Sequence, residues 1–212
     1  MNREATATAL RQDRFARWAP QYENGEVLSR LLADLQARAA NKLHLTADDR
    51  FLDVGCATGA AVRAAAATVR LALGVDRSAA MVQQARALAA ALPRAAFAVA
   101  DAQQLPVPPA SFSAVLCSTA RRHFTDPAGA DREMVRVLTP AGRIVVADFL
   151  EPGQQRGRRW WRGLHPTAAW RRADPLRPAP ATGVVVTGVT WHGTPLGPYV
   201  VVVAVKPENA SW

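Results

Sequence analysis

The apolar positions of the chain gather in short uninterrupted runs, and the stretches between them carry helical spacing. Five runs occupy residues 50–54, 71–75, 95–100, 112–117 and 143–147. Each has the length of a buried strand, and most lack polar alternation, as parallel strands covered on both faces do. Between them, 60–69 is Ala-rich, and Ser78 is placed to cap a helix in which Met81, Val82, Ala85, Leu88 and Ala89 recur on one face. Residues 129–138 carry Met134, Val135 and Leu138 on one side, and 26–45 carry Val27, Leu31, Leu32 and Leu35 at the spacing of an amphipathic helix. Strand–helix–strand repetition implies right-handed crossovers and an open α/β sheet with helices on both faces. Residues 184–191 and 199–205 are β-rich, and the connection at 192–198 holds two Gly and two Pro. It is far too short for a crossover helix, so these two strands are predicted to be antiparallel. The pattern divides the chain into an N-terminal helical segment (1–45), an α/β core (46–150), a connecting segment (151–182) and a C-terminal β-hairpin (183–212) that completes the sheet.

A length of 212 residues suits one sizeable domain. Half of the chain is hydrophobic, but 44 of those residues are Ala, and the remainder is an ordinary core for a domain of this size. The net charge of +9 changes the picture only once it is divided along the chain. Of the 26 basic residues, 24 are Arg; the exceptions are Lys42 and Lys206. Residues 151–180 hold seven Arg against Glu151 and Asp174, together with Trp160, Trp161, Trp170 and five Pro. The rest of the chain is only modestly basic. No apolar run reaches the roughly 18–20 residues of a membrane span. The first ten residues are polar and Ala/Thr-rich, without the apolar region of a secretory signal, so a cytoplasmic location is expected. Cys56 and Cys117 are too few for a disulfide framework or a zinc cluster, and no metal site is expected. No heptad pattern bears on oligomeric state.

In open α/β sheets, ligands bind beyond the carboxyl ends of the strands. Three strand ends carry acids: Asp53, Asp76 and Asp101, spaced by 23 and 25 residues. A lone strand-end Asp is as readily a helix cap or a turn residue. Three in register are better explained by a pocket. Between Asp53 and the next helix runs Asp53-Val54-Gly55-Cys56-Ala57-Thr58-Gly59, whose glycines permit close approach of the backbone to a ligand. Asp76 stands about 20 residues after this loop, where a carboxylate accepts the two vicinal hydroxyls of a ribose.

The segment Phe51-Leu52-Asp53-Val54-Gly55-Cys56-Ala57-Thr58-Gly59 resembles motif I of class I S-adenosylmethionine-dependent methyltransferases. Leu73-Gly74-Val75-Asp76-Arg77-Ser78-Ala79-Ala80-Met81 is similar to their acidic loop, and Val99-Ala100-Asp101-Ala102-Gln103-Gln104-Leu105-Pro106 to their adenine-contacting segment. Phe112-Ser113-Ala114-Val115-Leu116-Cys117-Ser118 resembles motif IV. The run from Glu133 to Arg143 is similar to the helix and turn before strand five. Arg14-Phe15-Ala16-Arg17-Trp18-Ala19-Pro20-Gln21-Tyr22-Glu23 resembles the start of the ubiquinone/menaquinone-type small-molecule branch, the methyltransferase type 11 domain. The resemblance implies a Rossmann-like seven-stranded, mostly parallel sheet of order 3-2-1-4-5-7-6, with the last strand antiparallel. It implies S-adenosyl-L-methionine as cofactor and S-adenosyl-L-homocysteine as product. Carried over residue by residue, Gly55, Cys56, Ala57 and Gly59 would face the methionine part, supported by Asp53. Asp76 would hold the ribose, and Arg77 and Met81 would flank the adenine. Asp101 and Ala102 would meet the adenine amino group, and Ser118 would lie at the methyl-donor end. Tyr22 would close over the cofactor, and His123 and Tyr22 are the candidate bases.

The chain departs from the family at four places. Ala57 replaces the middle glycine of the loop, where a Cβ at positive φ costs about 1 kcal/mol. Ala141 replaces a usual glycine, and this exchange is expected to be neutral. Arg121 and Arg122 stand before His123, where a hydrophobic residue and a His are usual; they are candidates for binding an anionic acceptor, or for facing solvent. The Arg/Trp/Pro-rich segment 151–182 is a candidate lid, with Trp160 and Trp161 stacking on an aromatic acceptor. Such interleaving also suits RNA, an anionic membrane surface, or a plain linker. The reading is methyl transfer to a small-molecule acceptor, by O- or C-methylation of an aromatic, quinone-like or other secondary metabolite. The alternatives are an RNA methyltransferase using the Arg/Trp-rich segment, and a catalytically silent binding protein that keeps the fold. The usual nucleic-acid amino-methylation signature, Asn/Asp-Pro-Pro-Tyr, is absent after strand four, where Ser118-Thr119-Ala120-Arg121 stands.

Overall fold

The computed structural model describes residues 19, 22, 27–149, 183–194 and 196–208. Along it run α1 (Val27–Asn41), β1 (Arg50–Val54), α2 (Ala60–Ala65), β2 (Leu71–Asp76), α3 (Ala79–Leu88), β3 (Ala95–Val99), β4 (Phe112–Ser118), a 3-10 turn (Arg121–His123), α4 (Pro127–Val137), β5 (Leu138–Phe149), β6 (Val185–Thr194) and β7 (Gly197–Val205). The seven strands form one sheet in the order β3-β2-β1-β4-β5-β7-β6. β1 to β5 are mutually parallel where they pair, and β7 runs antiparallel to both β5 and β6. Both the order and the single reversed strand match the expectation. β1 lies between β2 and β4, so the chain leaves it in opposite directions at this point. That divergence opens a crevice at the carboxyl ends, where Asp53, Asp76 and Ser118 lie.

Each face of the sheet is buried under helices. Leu35 and Ala39 of α1, Ala61, Val62 and Ala65 of α2, and Val82 and Ala85 of α3 share one cluster with Phe51, Ala72, Ala114, Leu116, Ala147, Tyr199 and Val201 of the strands. On the other face Ala130, Met134 and Val137 of α4 meet Leu52, Val54, Val115, Cys117, Ile144 and Val146. The alanines have a use here. Ala39, Ala72, Ala85, Ala114, Ala130 and Ala147 are wholly buried, and their small side chains fill the contact layer while helix and sheet approach closely.

Among the differences from the sequence expectation, three concern α2, the end of α3 and the start of β5. The helix expected over 60–69 stops at Ala65; the Val69 N–H turns back to the Ala65 carbonyl at 3.0 Å so that the chain can enter β2 at Leu71. Leu88, expected on the buried face, is 43% exposed at the end of α3, and Ala89 turns inward in its place. β5 begins at Leu138, earlier than expected, because Leu138 pairs with Phe112 before the register shifts to Ala114 and Arg143. Within that irregularity Ala141 has φ 57, so its exchange for glycine carries left-handed strain of about 1 kcal/mol and is not neutral.

The end of the sheet opposite the crevice is held by polar anchors. The buried Asp49 accepts the Ser113 hydroxyl at 2.6 Å, the Arg143 guanidinium at 2.6 Å and the Thr46 N–H at 2.7 Å, tying the entries of β1, β4 and β5 together. Lys206, one of only two lysines, is buried and donates to the Val135 and Leu138 carbonyls at 3.0 and 2.8 Å. It places a cation on carbonyls that the end of α4 leaves without intrahelical donors. Among the described residues, no helix is long and apolar enough to cross a membrane.

Candidate functional site

β1 ends in the buried pair Asp53-Val54, and the chain then turns across the end of β2. The Gly55 and Cys56 N–H groups both donate to the Val75 carbonyl, at 2.8 and 3.0 Å. Gly55 and Gly59 have φ 80 and 79, and neither position accepts a side chain. A Cβ at Gly55 would stand 2.4 Å from the Ala120 Cβ, and one at Gly59 would stand 2.3 Å from the Phe97 ring. The loop is therefore pressed between the segment after β4 and the side chain of β3, with its backbone toward the crevice. Ala57, at its apex, has φ 48. The strain foreseen from its Cβ is thus present.

Asp76 closes the loop from the end of β2. Its Oδ2 accepts the Ala57 N–H at 2.9 Å, and its Oδ1 accepts the Ser78 N–H at 2.8 Å. Each oxygen keeps a lone pair for a further donor. Burial pushes its pKa up, against these two hydrogen bonds and the nearby Arg77 charge. Ser78 caps α3 as the sequence predicts, its hydroxyl accepting the Met81 N–H at 3.4 Å, and Met81 itself is buried. The Arg77 Nε is buried without a hydrogen-bond partner among the described residues. Asp101 is exposed, and its Oδ1 accepts both the backbone and side-chain N–H of Gln103, at 2.9 and 3.0 Å. Its partial burial raises its pKa, but these bonds and the Arg77 charge outweigh that and hold it below the ordinary value. Ala102 beside it is buried.

Asp53 is the anomaly. It is wholly buried, and neither carboxylate oxygen has a hydrogen-bond partner among the described residues. Burial, and secondly the Asp76 charge, push its pKa up to about 8. A buried carboxylate without donors is costly, and such a group marks a place where a ligand supplies what the fold does not. Cys56 beside it is buried, its thiol against the Ala57 carbonyl at 3.6 Å.

Beyond β4, Ser118 is buried and its hydroxyl shares a 2.9 Å hydrogen bond with the Tyr199 hydroxyl. Thr119 follows at φ 56, a conformation β-branched residues rarely adopt and one that concentrates at functional sites. The two arginines then both pair within the chain. Arg121 makes a two-pronged ion pair with the buried Asp131 of α4, at 2.9 and 2.6 Å. Arg122 donates its N–H at 3.0 Å and its guanidinium to the buried Asp148, with the guanidinium 5.5 Å over the Phe149 ring. Neither cation turns to solvent, and each is engaged by a carboxylate of this chain. Together they clamp the 3-10 turn that carries His123, whose N–H donates to the Ala120 carbonyl at 2.9 Å. Tyr22 is half-buried in a separate turn, its N–H directed to the Ala19 carbonyl at 3.4 Å. Trp160 and Trp161 lie outside the described residues. So the fold brings Asp53, Gly55, Ala57, Gly59, Asp76 and Arg77 into one crevice, with Ser118 beside it. Tyr199, Asp131 and Asp148 were not singled out from sequence, because their roles depend on strand neighbours that local pattern does not specify.

Residues 52–146 match the family model described as a methyltransferase domain. Over that span the chain is similar to a methyltransferase domain. It is 40% identical over 120 residues to the 27-O-demethylrifamycin SV methyltransferase of Amycolatopsis mediterranei, covering 55% of this chain and 44% of that one. It is 33% identical over 147 residues to the demethylmenaquinone methyltransferase of Tropheryma whipplei, covering 68% and 61%. The chain therefore spans about half the length of the curated relatives it matches. Among solved structures, the N-methyltransferase NodS from Bradyrhizobium japonicum, in complex with S-adenosyl-L-homocysteine, superposes with a TM-score of 0.70 at 16% identity, over 95% of this chain and 99% of that one. That last likeness concerns the fold. The span matched by the family model runs from β1 into β5 and takes in every residue of the crevice.

Proposed function

We propose that the chain is an S-adenosylmethionine-dependent methyltransferase acting on a small-molecule acceptor, by O- or C-methylation of an aromatic, quinone-like or other secondary metabolite. The observation that carries the reading is the unpartnered, buried Asp53 beside a strained glycine loop and the diol-ready Asp76. The donor set fits the cofactor. An orphaned carboxylate suits its cationic methionine part, and Asp76 has lone pairs for both ribose hydroxyls. The cofactor supplies a methyl group activated on a sulfonium. This chain's residues then orient the two reactants and exclude water, which is where most of the acceleration of such a transfer arises. Arg77 and Met81 flank the adenine, Asp101 and Ala102 meet its amino group, and Cys56 and Ala57 line the methionine side. His123, fixed in its turn by the Arg121–Asp131 and Arg122–Asp148 pairs, is the base that accepts an acceptor proton, with Tyr22 as the second candidate. Acceptor contacts come from this same turn and from Trp160 and Trp161. The names of the rifamycin and menaquinone relatives support a small-molecule acceptor, and a cytoplasmic location belongs to the same reading.

A second reading is a binding protein that keeps the fold without turnover. The left-handed Ala57 and the internal pairing of both arginines favour it. Calorimetry with S-adenosylmethionine and S-adenosylhomocysteine, followed by product detection over an acceptor panel, separates the two. Binding with methylated product supports the first, whereas binding without product on any acceptor, or no binding at all, overturns the first and supports the second.

A further inference from the structure

The hydroxyl pair between Ser118 and Tyr199 has no use in folding that an apolar pair would not serve as well. Both side chains are almost completely buried, and they join residues 81 positions apart, on strands that are not neighbours. Tyr199 stands across β5. Its partner there is Phe149, whose ring meets the Tyr199 ring edge-on at 5.0 Å, and its partner on β6 is His192, with ring centroids 6.4 Å apart. Three strands thus fix where the phenol points. Burial pushes its pKa up, so it stays a neutral hydroxyl and does not take protons.

Ser118 is fixed as firmly. Its carbonyl accepts the Thr119 hydroxyl at 2.7 Å, and the Thr119 N–H donates to the Ala147 carbonyl at 2.7 Å, holding the left-handed turn. It lies on the face of the sheet that Asp53 occupies: Asp53 pairs with Leu116, and Ser118 is two residues further along the same strand. Two residues after it, Ala120 touches the start of the glycine loop. The Ser118 hydroxyl therefore sits at the crevice wall, on the same face of the sheet as the unpartnered Asp53 carboxyl.

A hydroxyl has one proton and two acceptor lone pairs. When the buried Tyr199 phenol donates to the Ser118 oxygen, that oxygen is fixed and keeps a second lone pair for a positive centre. We propose that Tyr199 is a positioning residue of the donor site: its hydroxyl holds the Ser118 oxygen in place at the sulfonium end of the bound cofactor, favouring the charged donor over the neutral thioether product. The inference rests on the functional reading above and adds to it how the site tells donor from product.

The test is calorimetric binding of S-adenosylmethionine and S-adenosylhomocysteine to the wild type, Tyr199→Phe, Ser118→Ala and the double variant. Tyr199→Phe is expected to weaken the donor about fivefold, as loss of one oriented polar contact does, and to change product affinity less than twofold. Ser118→Ala should reproduce that change, and the double variant should add nothing to it. Ser118→Ala removes one oxygen and carries the test alone if Tyr199→Phe fails to fold. Equal weakening of both ligands, or an unchanged donor-to-product ratio, overturns the inference while leaving the functional reading intact. A wild type that binds neither ligand overturns both.

Discussion

Asp53 yields the sharpest quantitative consequence. Its carboxyl is wholly buried, unpartnered among the described residues, and shifted up to about 8 by burial first and the Asp76 charge second. At pH 7 the ligand-free fold holds it protonated, whereas the unfolded chain holds it ionised, near its ordinary value of 3.8. Native protein thus binds one proton more than unfolded protein between about pH 4 and pH 8, and stability falls as pH rises through that window. The interval from 3.8 to 7 at 1.36 kcal/mol per unit gives a loss of about 4 kcal/mol by neutrality. Asp53→Asn has the same shape and no charge. It should raise the stability of the ligand-free protein at pH 7 by about 2–4 kcal/mol and remove this contribution to the pH slope. Urea unfolding of both proteins at pH 5 and pH 8 measures it, and the difference between their slopes isolates Asp53 from Asp76 and Asp148, which burial also shifts upward. A cationic ligand arriving at this carboxylate must expel the proton. Calorimetry near pH 6.5 in buffers of different ionisation enthalpy should therefore report about one proton released by the wild type and none by Asp53→Asn. Equal slopes with an Asn variant no more stable than wild type would refute the reasoning.

The other predictions concern strain, pairing and capping. Ala57→Gly relieves a φ of 48 and should stabilise the protein by about 1 kcal/mol, read as a rise in Tm of a few degrees, with tighter cofactor binding. Arg122→Ala strands the buried Asp148 carboxylate and should cost about 3–5 kcal/mol in denaturant unfolding. Arg132→Ala, which removes an exposed pairing with Asp126, should cost less than about 1 kcal/mol in the same assay. Lys206→Met leaves the Val135 and Leu138 carbonyls short of a donor and should lower unfolding free energy by about 1–3 kcal/mol.

What the sequence discloses, and what it withholds, follows from the range of the interactions. The strands β1 and β4 are legible because both their faces are buried, while the edge strand β3, buried only at Phe97, is legible from its apolar run alone. The acids at 53 and 76 are legible because a strand end and a glycine loop are local features. Arg121 and Arg122 were not, since Asp131 and Asp148 lie 10 and 26 residues away and only α4 and β5 bring them together. The Ser118–Tyr199 pair spans 81 residues and exists because β7 inserts beside β5, a choice that the hairpin pattern of 184–205 does not itself announce. Nothing local in the sequence marks Lys206, and only the antiparallel strand carries it under the end of α4. Asp101 is legible in the same way as a strand-end acid, and Gln103 engages one of its two oxygens.

The central claim is that the acidic strand ends hold an adenosyl cofactor, and Asp76 tests it most directly. Calorimetric titration with S-adenosylhomocysteine of the wild type, Asp76→Asn and Asp76→Ala uses the ligand's ribose as the probe. The account predicts saturable one-site binding to the wild type and at least a tenfold loss in both variants, since two hydroxyls lose a charged acceptor and the loop loses the anchor at the Ala57 N–H. A wild type that does not bind, or an Asp76→Ala variant that binds as tightly as the wild type, would contradict it.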